Sequence, residues 1–122
     1  MITVPLWVLV GGRSGDKGGD ANVGLWADSK SVAEWLCARF DVAQFKAVLP
    51  EAAPFAVSRY VLPNLRAVNF VVHGILGWGV ASNVRLDTQA KGLAELLRSR
   101  VVAVPSSLLE YGKPAERALA RD

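Results

Sequence analysis

The sequence predicts a mixed α/β or α+β sandwich of about five strands and three or four helices, folded as one domain. Three observations carry this. Runs that alternate apolar and polar residues are interleaved with runs of helical period. Helix-start and turn signals fall between them. The 122-residue chain is also 52% hydrophobic, with four Trp and four Phe, enough to fill one compact core of ordinary domain size.

Taken in order, Thr3 to Val10 is a β-rich run. Pro5 cannot donate to a ladder, which places it near the strand start or at a sheet edge. Gly11 to Asp20 is polar and glycine-rich, and Ala21 to Ala27 returns to strand-like residues; the simplest reading is two strands flanking a long loop. Ser31 and Glu34 have capping-box spacing, and Val32, Trp35, Leu36 and Phe40 follow at helical period. Asp41 caps a second helical segment carrying Val42, Phe45, Val48 and Leu49, which Pro50 limits. Val57 to Leu62 reads as a strand stopped by Pro63-Asn64. Leu65 to Leu76 fits both periods; Pro63-Asn64 as a start and Gly77 or Gly79 as a stop favour helix. Val80 to Leu86 alternates as a strand. Asp87 or Thr88 caps a helix with Ala90, Leu93, Ala94 and Leu97 inside and Arg98 and Arg100 at its C-terminal end, where they meet the helix dipole. Val101 to Val104 is a short strand ended by Pro105. The domain thus spans residues 1–105, and residues 106–122 form a polar, loosely docked tail.

Composition excludes several classes. The net charge is +3, but the basic residues are scattered, without the Lys/Arg run and interleaved aromatics of a nucleic-acid binder. No apolar run reaches the ~18 residues of a membrane span; the longest, Leu65 to Val80, is broken by Arg66, Asn69, His73 and three glycines. The N-terminus lacks the basic start and cleavage site of a signal peptide. Cys37 is the single cysteine, which suits a reducing compartment. A cytoplasmic protein with no membrane or nucleic-acid partner is expected. Cys37, beside Trp35 and Leu36, reads as a buried inert thiol, and nothing near it makes a zinc or other metal site. Trp7, Trp26 and Trp35 read as core. Trp78, between two glycines, is either a partner anchor or a cap on the core.

The densest chemistry lies in Gly11 to Asn22, with five glycines, Asp16, Asp20, Lys17 and Arg13. Glycines let backbone N–H groups approach a ligand, and Lys17 and Arg13 reinforce such an anion nest. Asp16 and Asp20 alternatively hold a hard cation, or the stretch is only a long hairpin connection with surface ion pairs. It matches neither the P-loop nor the dinucleotide fingerprint. His73, the only histidine, shares a face with Asn69 in either a helix or a strand. A catalytic role needs a nucleophile or an orienting acid brought to it by the fold; a hydrogen-bonded structural histidine is the plainer reading.

Three stretches together resemble one family: Arg13-Ser14-Gly15-Asp16-Lys17-Gly18 with Asn22-Val23-Gly24; Arg59-Tyr60-Val61-Leu62-Pro63-Asn64-Leu65 with Asn69-Phe70-Val71; and Val84-Arg85-Leu86-Asp87 with Gln89 and Lys91. They are similar to the C-terminal, ferredoxin-like domain of the acyclic terpene utilisation (AtuA-type) proteins. One departure is Ala90, where the family pattern implies Gly. The resemblance implies an α+β, ferredoxin-like sandwich with a mostly antiparallel sheet. In the family this domain commonly follows a much larger N-terminal domain, and the family is linked to breakdown of acyclic terpenes and branched acyl-CoA compounds. It therefore implies a small subunit or stand-alone relative whose partner is a large AtuA-like N-terminal-domain protein or a second copy, and a CoA-thioester ligand. The candidate ligand- or partner-binding residues are Arg13, Ser14, Gly15, Asp16, Lys17, Gly18, Asp20, Asn22, Arg59, Asn64, Asn69, His73 and Arg85, with Tyr60 beside them. Two rival functions remain: a non-catalytic self-assembling module, and an autonomous small hydratase or hydrolase using Asp16, Lys17 and His73.

Overall fold

The computed structural model describes residues 1–75 and 92–111. The first strand, β1 (Ile2–Pro5), pairs antiparallel with β6 (Val101–Val104), with Pro5 opposite Val101. Pro5 therefore ends its strand in a two-stranded ribbon, where a missing donor interrupts no central ladder. The expected strand to Val10 is corrected: the chain turns into a 3₁₀ helix, Leu6–Val8. Leu6, Val8, Leu9 and Val10 are all at most 4% exposed, a run that a strand with alternating faces cannot bury on one side.

The expected long loop is also corrected. Residues 11–26 form a hairpin of β2 (Gly11–Lys17) and β3 (Asp20–Trp26), with Lys17 opposite Asp20. The connection shrinks to Gly18-Gly19, and Gly18 takes φ of 63°, the left-handed backbone that two-residue hairpin turns demand. Two other glycines serve packing. A Cβ on Gly11 would lie 2.5 Å from the Trp26 indole, and one on Gly12 would lie 2.9 Å from the Arg98 side chain.

Helix α1 (Lys30–Arg39) starts two residues earlier than the capping-box spacing indicates. Ser29 is the N-cap, its hydroxyl accepting from Val32 N–H at 3.2 Å. Helix α2 (Val42–Val48) is capped as expected by Asp41, which accepts from Gln44 N–H at 2.9 Å. After a 3₁₀ turn at Pro50–Ala52, strand β4 (Val57–Leu62) runs into a second such turn, Pro63–Leu65. Arg66 follows in the left-handed region (φ 52°, ψ 44°) and reverses the chain into β5 (Ala67–Val72). Within the stretch 65–76, where a helix is expected, residues 67–72 are thus a strand. Val68, Phe70 and Val72 are each 0% exposed, and β5 is paired on both sides, so long-range pairing decides between two periods that the local pattern leaves balanced.

Residues 92–99 are helical (α3) and bury Leu93, Ala94 and Leu97. Beyond Pro105, the 3₁₀ segment Ser106–Tyr111 sets Leu108 into the core at 7% exposure, an anchor at the start of the expected tail. The expected strand over 80–86, Ala90, Trp78 and Arg85 lie outside the described residues.

The described strands number six in two sheets, against about five expected. The larger sheet is antiparallel throughout, in the order β2-β3-β5-β4. Its inner face presents Ala21, Val23, Leu25, Val68, Phe70 and Val72, all fully buried. Phe70 stacks on Phe45 of α2 at 4.2 Å and meets Phe40 edge-on at 6.0 Å, geometries that add about 1 kcal/mol each beyond the area they bury. The Trp expectation is corrected in part: Trp7 and Trp35 are half-buried and Trp26 is exposed. Cys37 is half-buried rather than buried.

Arg59 reaches from β4 across the inner layer. Its guanidinium donates to the carbonyls of Leu36, Cys37 and Phe40 at 2.7–3.1 Å. They lie at the C-terminal end of α1, where Leu36 O also accepts from the Phe40 N–H at 3.3 Å and the last carbonyls run out of helical donors. Arg59→Ala should therefore lower stability by roughly 1.5–3 kcal/mol in chemical denaturation. Arg59→Lys should recover only part of it, because one ammonium cannot reproduce the planar fork.

At the opposite end of the helical layer, Arg100 forks onto both Glu51 oxygens at 2.7 Å and donates to Val48 O at 3.0 Å. The hydrogen bond from Arg100 holds the Glu51 carboxyl below its ordinary value. A depressed carboxyl contributes stability above its unfolded pKa and loses it as pH falls through the folded value. Glu51→Gln should accordingly flatten the acid limb of a stability-versus-pH curve below about pH 4.5, by at most about 1 kcal/mol for so exposed a pair.

Candidate functional site

Strand pairing places the remaining polar residues. In β3 and β5 the inner set is buried, so the alternate residues face the other side of the sheet. Cross-strand register then defines rows on this outer face: Gly15–Asn22–Val71–Ser58, Arg13–Gly24–Asn69–Tyr60, and Gly11–Trp26–Ala67–Leu62. One end of the face is apolar and exposed, with Trp26 at 37%, Tyr60 at 52% and Leu62 at 42%; Leu65, in the turn after β4, is 69% exposed. Asn69 lies over Gly24, its Oδ1 3.5 Å from where a Cβ would stand. Arg13 is exposed beside it. The Oδ1 of Asn22 is buried without a hydrogen-bond partner, a costly state for an amide oxygen.

The other end gathers Asp20, Ser58 and His73. His73 follows β5, and its backbone N–H donates to Ala56 O at 2.8 Å. Its Nε2 lies 2.7 Å from Ser58 Oγ. Its Nδ1 lies 3.4 Å from Asp20 Oδ2, a long contact. Asp20 Oδ1 accepts from Gly74 N–H at 2.8 Å, and Gly74 stands at φ 79°. Asp20, at the tip of the β2–β3 hairpin, thus ties that tip to the turn leaving β5.

Several expected site residues take other places. Ser14 points inward and its Oγ accepts from Ala94 N–H at 2.9 Å, joining β2 to α3. Arg59 is spent on α1. Asp16 and Asp20 have opposite parity across the hairpin, since Asp16 pairs with Ala21 and Asp20 with Lys17; they cannot share a cation, and among the described residues no three His, Cys, Asp or Glu gather into a metal cluster. A regular strand turns successive N–H groups to opposite edges, so residues 11–17 make no nest. Asn64 is exposed in the 3₁₀ turn at the apolar end of the sheet, far along the strands from His73. Arg85 lies outside the described residues. Asn69 and His73 share the outer face, as the sequence indicates. Ser58 is the residue that sequence reading misses. It is one hydroxyl in a strand, and only the β4–β5 pairing and the turn at His73 bring it to the imidazole.

Two shallow grooves elsewhere, of about 540 and 670 Å³, lie between α2 and β6 and share Gln44 and Ala103. Neither contains a hydrogen-bonded acid–base pair. Among the described residues no helix is long and apolar enough to cross a membrane.

The hairpin turn offers a clean test of this geometry. A Cβ on Gly18 would touch nothing within 4 Å, so Gly18→Ala should cost only the left-handed backbone penalty of about 1–2 kcal/mol, read as a lowered denaturation midpoint with an unchanged fold by circular dichroism.

Comparison with known proteins adds one result. No curated protein and no solved structure matches the chain. The AtuA ferredoxin-like domain matches residues 4–103, a span that runs from within β1 to within β6 and takes in both ends of the outer face. The fold is α+β and ferredoxin-like, and the chain belongs to the AtuA ferredoxin-like domain family.

Proposed function

We propose that the chain is the small or accessory component of a complex that processes branched acyl-CoA or terpenoid acids, docking through the outer face of its sheet on a large AtuA-type domain. The observation that supports this most is the composition of that face. The two stretches of family resemblance within the described residues both contribute to it, with Arg13, Asn69 and Tyr60 in one cross-strand row and Asn22 in the next. Beside them stand the exposed aromatics and leucines of the apolar end. Aromatic anchors flanked by polar groups are the ordinary anatomy of a protein interface. Arg13 and the Asn22 and Asn69 amides supply donors for an anionic group, a CoA phosphate or a carboxylate, held between the two components.

The test is sedimentation of the full chain mixed with a purified large AtuA-type domain. A complex of fixed stoichiometry is expected, weakened about tenfold or more by Tyr60→Ala or Leu62→Ala. Val101→Ser, which alters an apolar residue exposed away from this face, should leave it unchanged. Equal loss from Val101→Ser, or no complex at all, rejects the docking role; a self-associating chain without affinity for the large domain favours the assembly-module reading.

A further inference from the structure

Ser58, His73 and Asp20 form a chain of contacts of a kind that activates a nucleophile, and the docking function does not require it. We propose that this cluster is an acyl-transfer site: Ser58 is a nucleophile toward acyl esters and thioesters, His73 its general base, and Asp20 the residue that positions the imidazole.

The argument starts from hydrogen-bonding capacity. An ionised carboxylate only accepts, so the nitrogen facing Asp20 Oδ2, Nδ1 at 3.4 Å, carries the proton. The second nitrogen, Nε2, is then left with its lone pair toward Ser58 Oγ at 2.7 Å, a distance at which a hydroxyl donates strongly. That tautomer is the one that general-base chemistry needs. Both ends of the chain are held. Asp20 is oriented by Gly74 N–H through its other oxygen, and the His73 backbone is pinned to Ala56 O. His73 and Asp20 side chains are 42% and 37% exposed and Ser58 is half-buried, so a substrate carbonyl can reach Oγ. Contacts between catalytic groups are often long before substrate closes the site, and the His73–Asp20 spacing falls in that range.

The neighbourhood selects an apolar acyl group. Val71 stands opposite Ser58 on the outer face, and Tyr60 and Leu62 follow Ser58 along its own strand at the same parity. In the reaction, Nε2 takes the Ser58 proton as Oγ adds to the carbonyl carbon. The tetrahedral adduct collapses by breaking the bond to the leaving oxygen or sulfur, which receives that proton from His73. Water, deprotonated by His73, then adds to the acyl-Ser58 ester. The carboxylic acid leaves and Oγ regains its proton. The sum is thioester plus water giving carboxylic acid plus thiol.

The experiment uses the isolated full chain, so its outcome is independent of any docking partner. The chain is treated with a fluorophosphonate probe, which traps activated serines, and with p-nitrophenyl butyrate, and the modified residue is located by mass spectrometry. Ser58 should be labelled at least about 100-fold faster than the other serines, and this preference should vanish in urea. His73→Gln should slow both reactions by about 10²–10⁴-fold, and Ser58→Ala should abolish the butyrate acyl-enzyme. Asp20→Asn should lower the labelling rate while the melting temperature stays within a few degrees, and Asp20→Glu should restore part of it, a pattern that a merely structural aspartate does not give. Labelling of Ser58 no faster than of the other serines, or at the same rate in urea as in the native chain, overturns the proposal whether or not the variants fold. An unchanged rate in folded His73→Gln overturns it equally.

Discussion

Everything on the outer face depends on the register between β3 and β5. Side chains along a strand alternate with period two, so a slip of one residue exchanges the two faces entirely. Here the slip is prevented by packing. Ala21, Val23 and Leu25 on one strand and Val68, Phe70 and Val72 on the other are fully buried, and Phe70 is clamped between Phe45 and Phe40. Truncating a phenylalanine in such a place costs about 3–5 kcal/mol, a large part of a small domain's stability. With Phe70 inward, Asn69 and Val71 have no choice but to face outward. The outer face is in this sense a by-product of the core.

The same alternation separates neighbours with opposite tasks. Arg59 and Tyr60 are adjacent and both fall in the second stretch of family resemblance. Arg59 turns inward to the carbonyls that end α1, while Tyr60 turns outward and stands half in solvent. In the first stretch, Ser14 joins β2 to α3 and Arg13 does not. A motif read as one contiguous site is therefore two interleaved sets, one that builds the domain and one that the domain presents. Asp20 links the two ends of the chain's hairpins, because its carboxylate spans from the β2–β3 turn to the turn after β5.

What was legible in the sequence follows from how local each signal is. Asp41 caps α2 through a side chain three residues from its partner, so the helix and its start can be read directly. β4 and β6 are bounded by prolines and appear where expected. The hairpin was not legible because glycines usually mark loops; here Gly11 and Gly12 make room for Trp26 and Arg98, contacts that exist only after folding. Residues 67–72 carry both periods, and only pairing with β3 and β4 decides between them. The parity of Asn69 and His73 was readable under either outcome. Ser58 was not, since its partner is 15 residues away and beyond a reversal through Arg66.

One energetic consideration bears on why Asp20, Ser58 and His73 stand together. Exposed ion pairs contribute about 0–1 kcal/mol, and less in salt. The His73–Asp20 contact is long, and both side chains are more than a third exposed. Holding the turn after β5 requires only the Gly74 N–H bond to Asp20 and the His73 N–H bond to Ala56, neither of which uses the imidazole. Fold stability therefore gives little account of the ring's position, 2.7 Å from a half-buried hydroxyl. The proposed activation of that hydroxyl would account for it, because the position matters most when a proton must move.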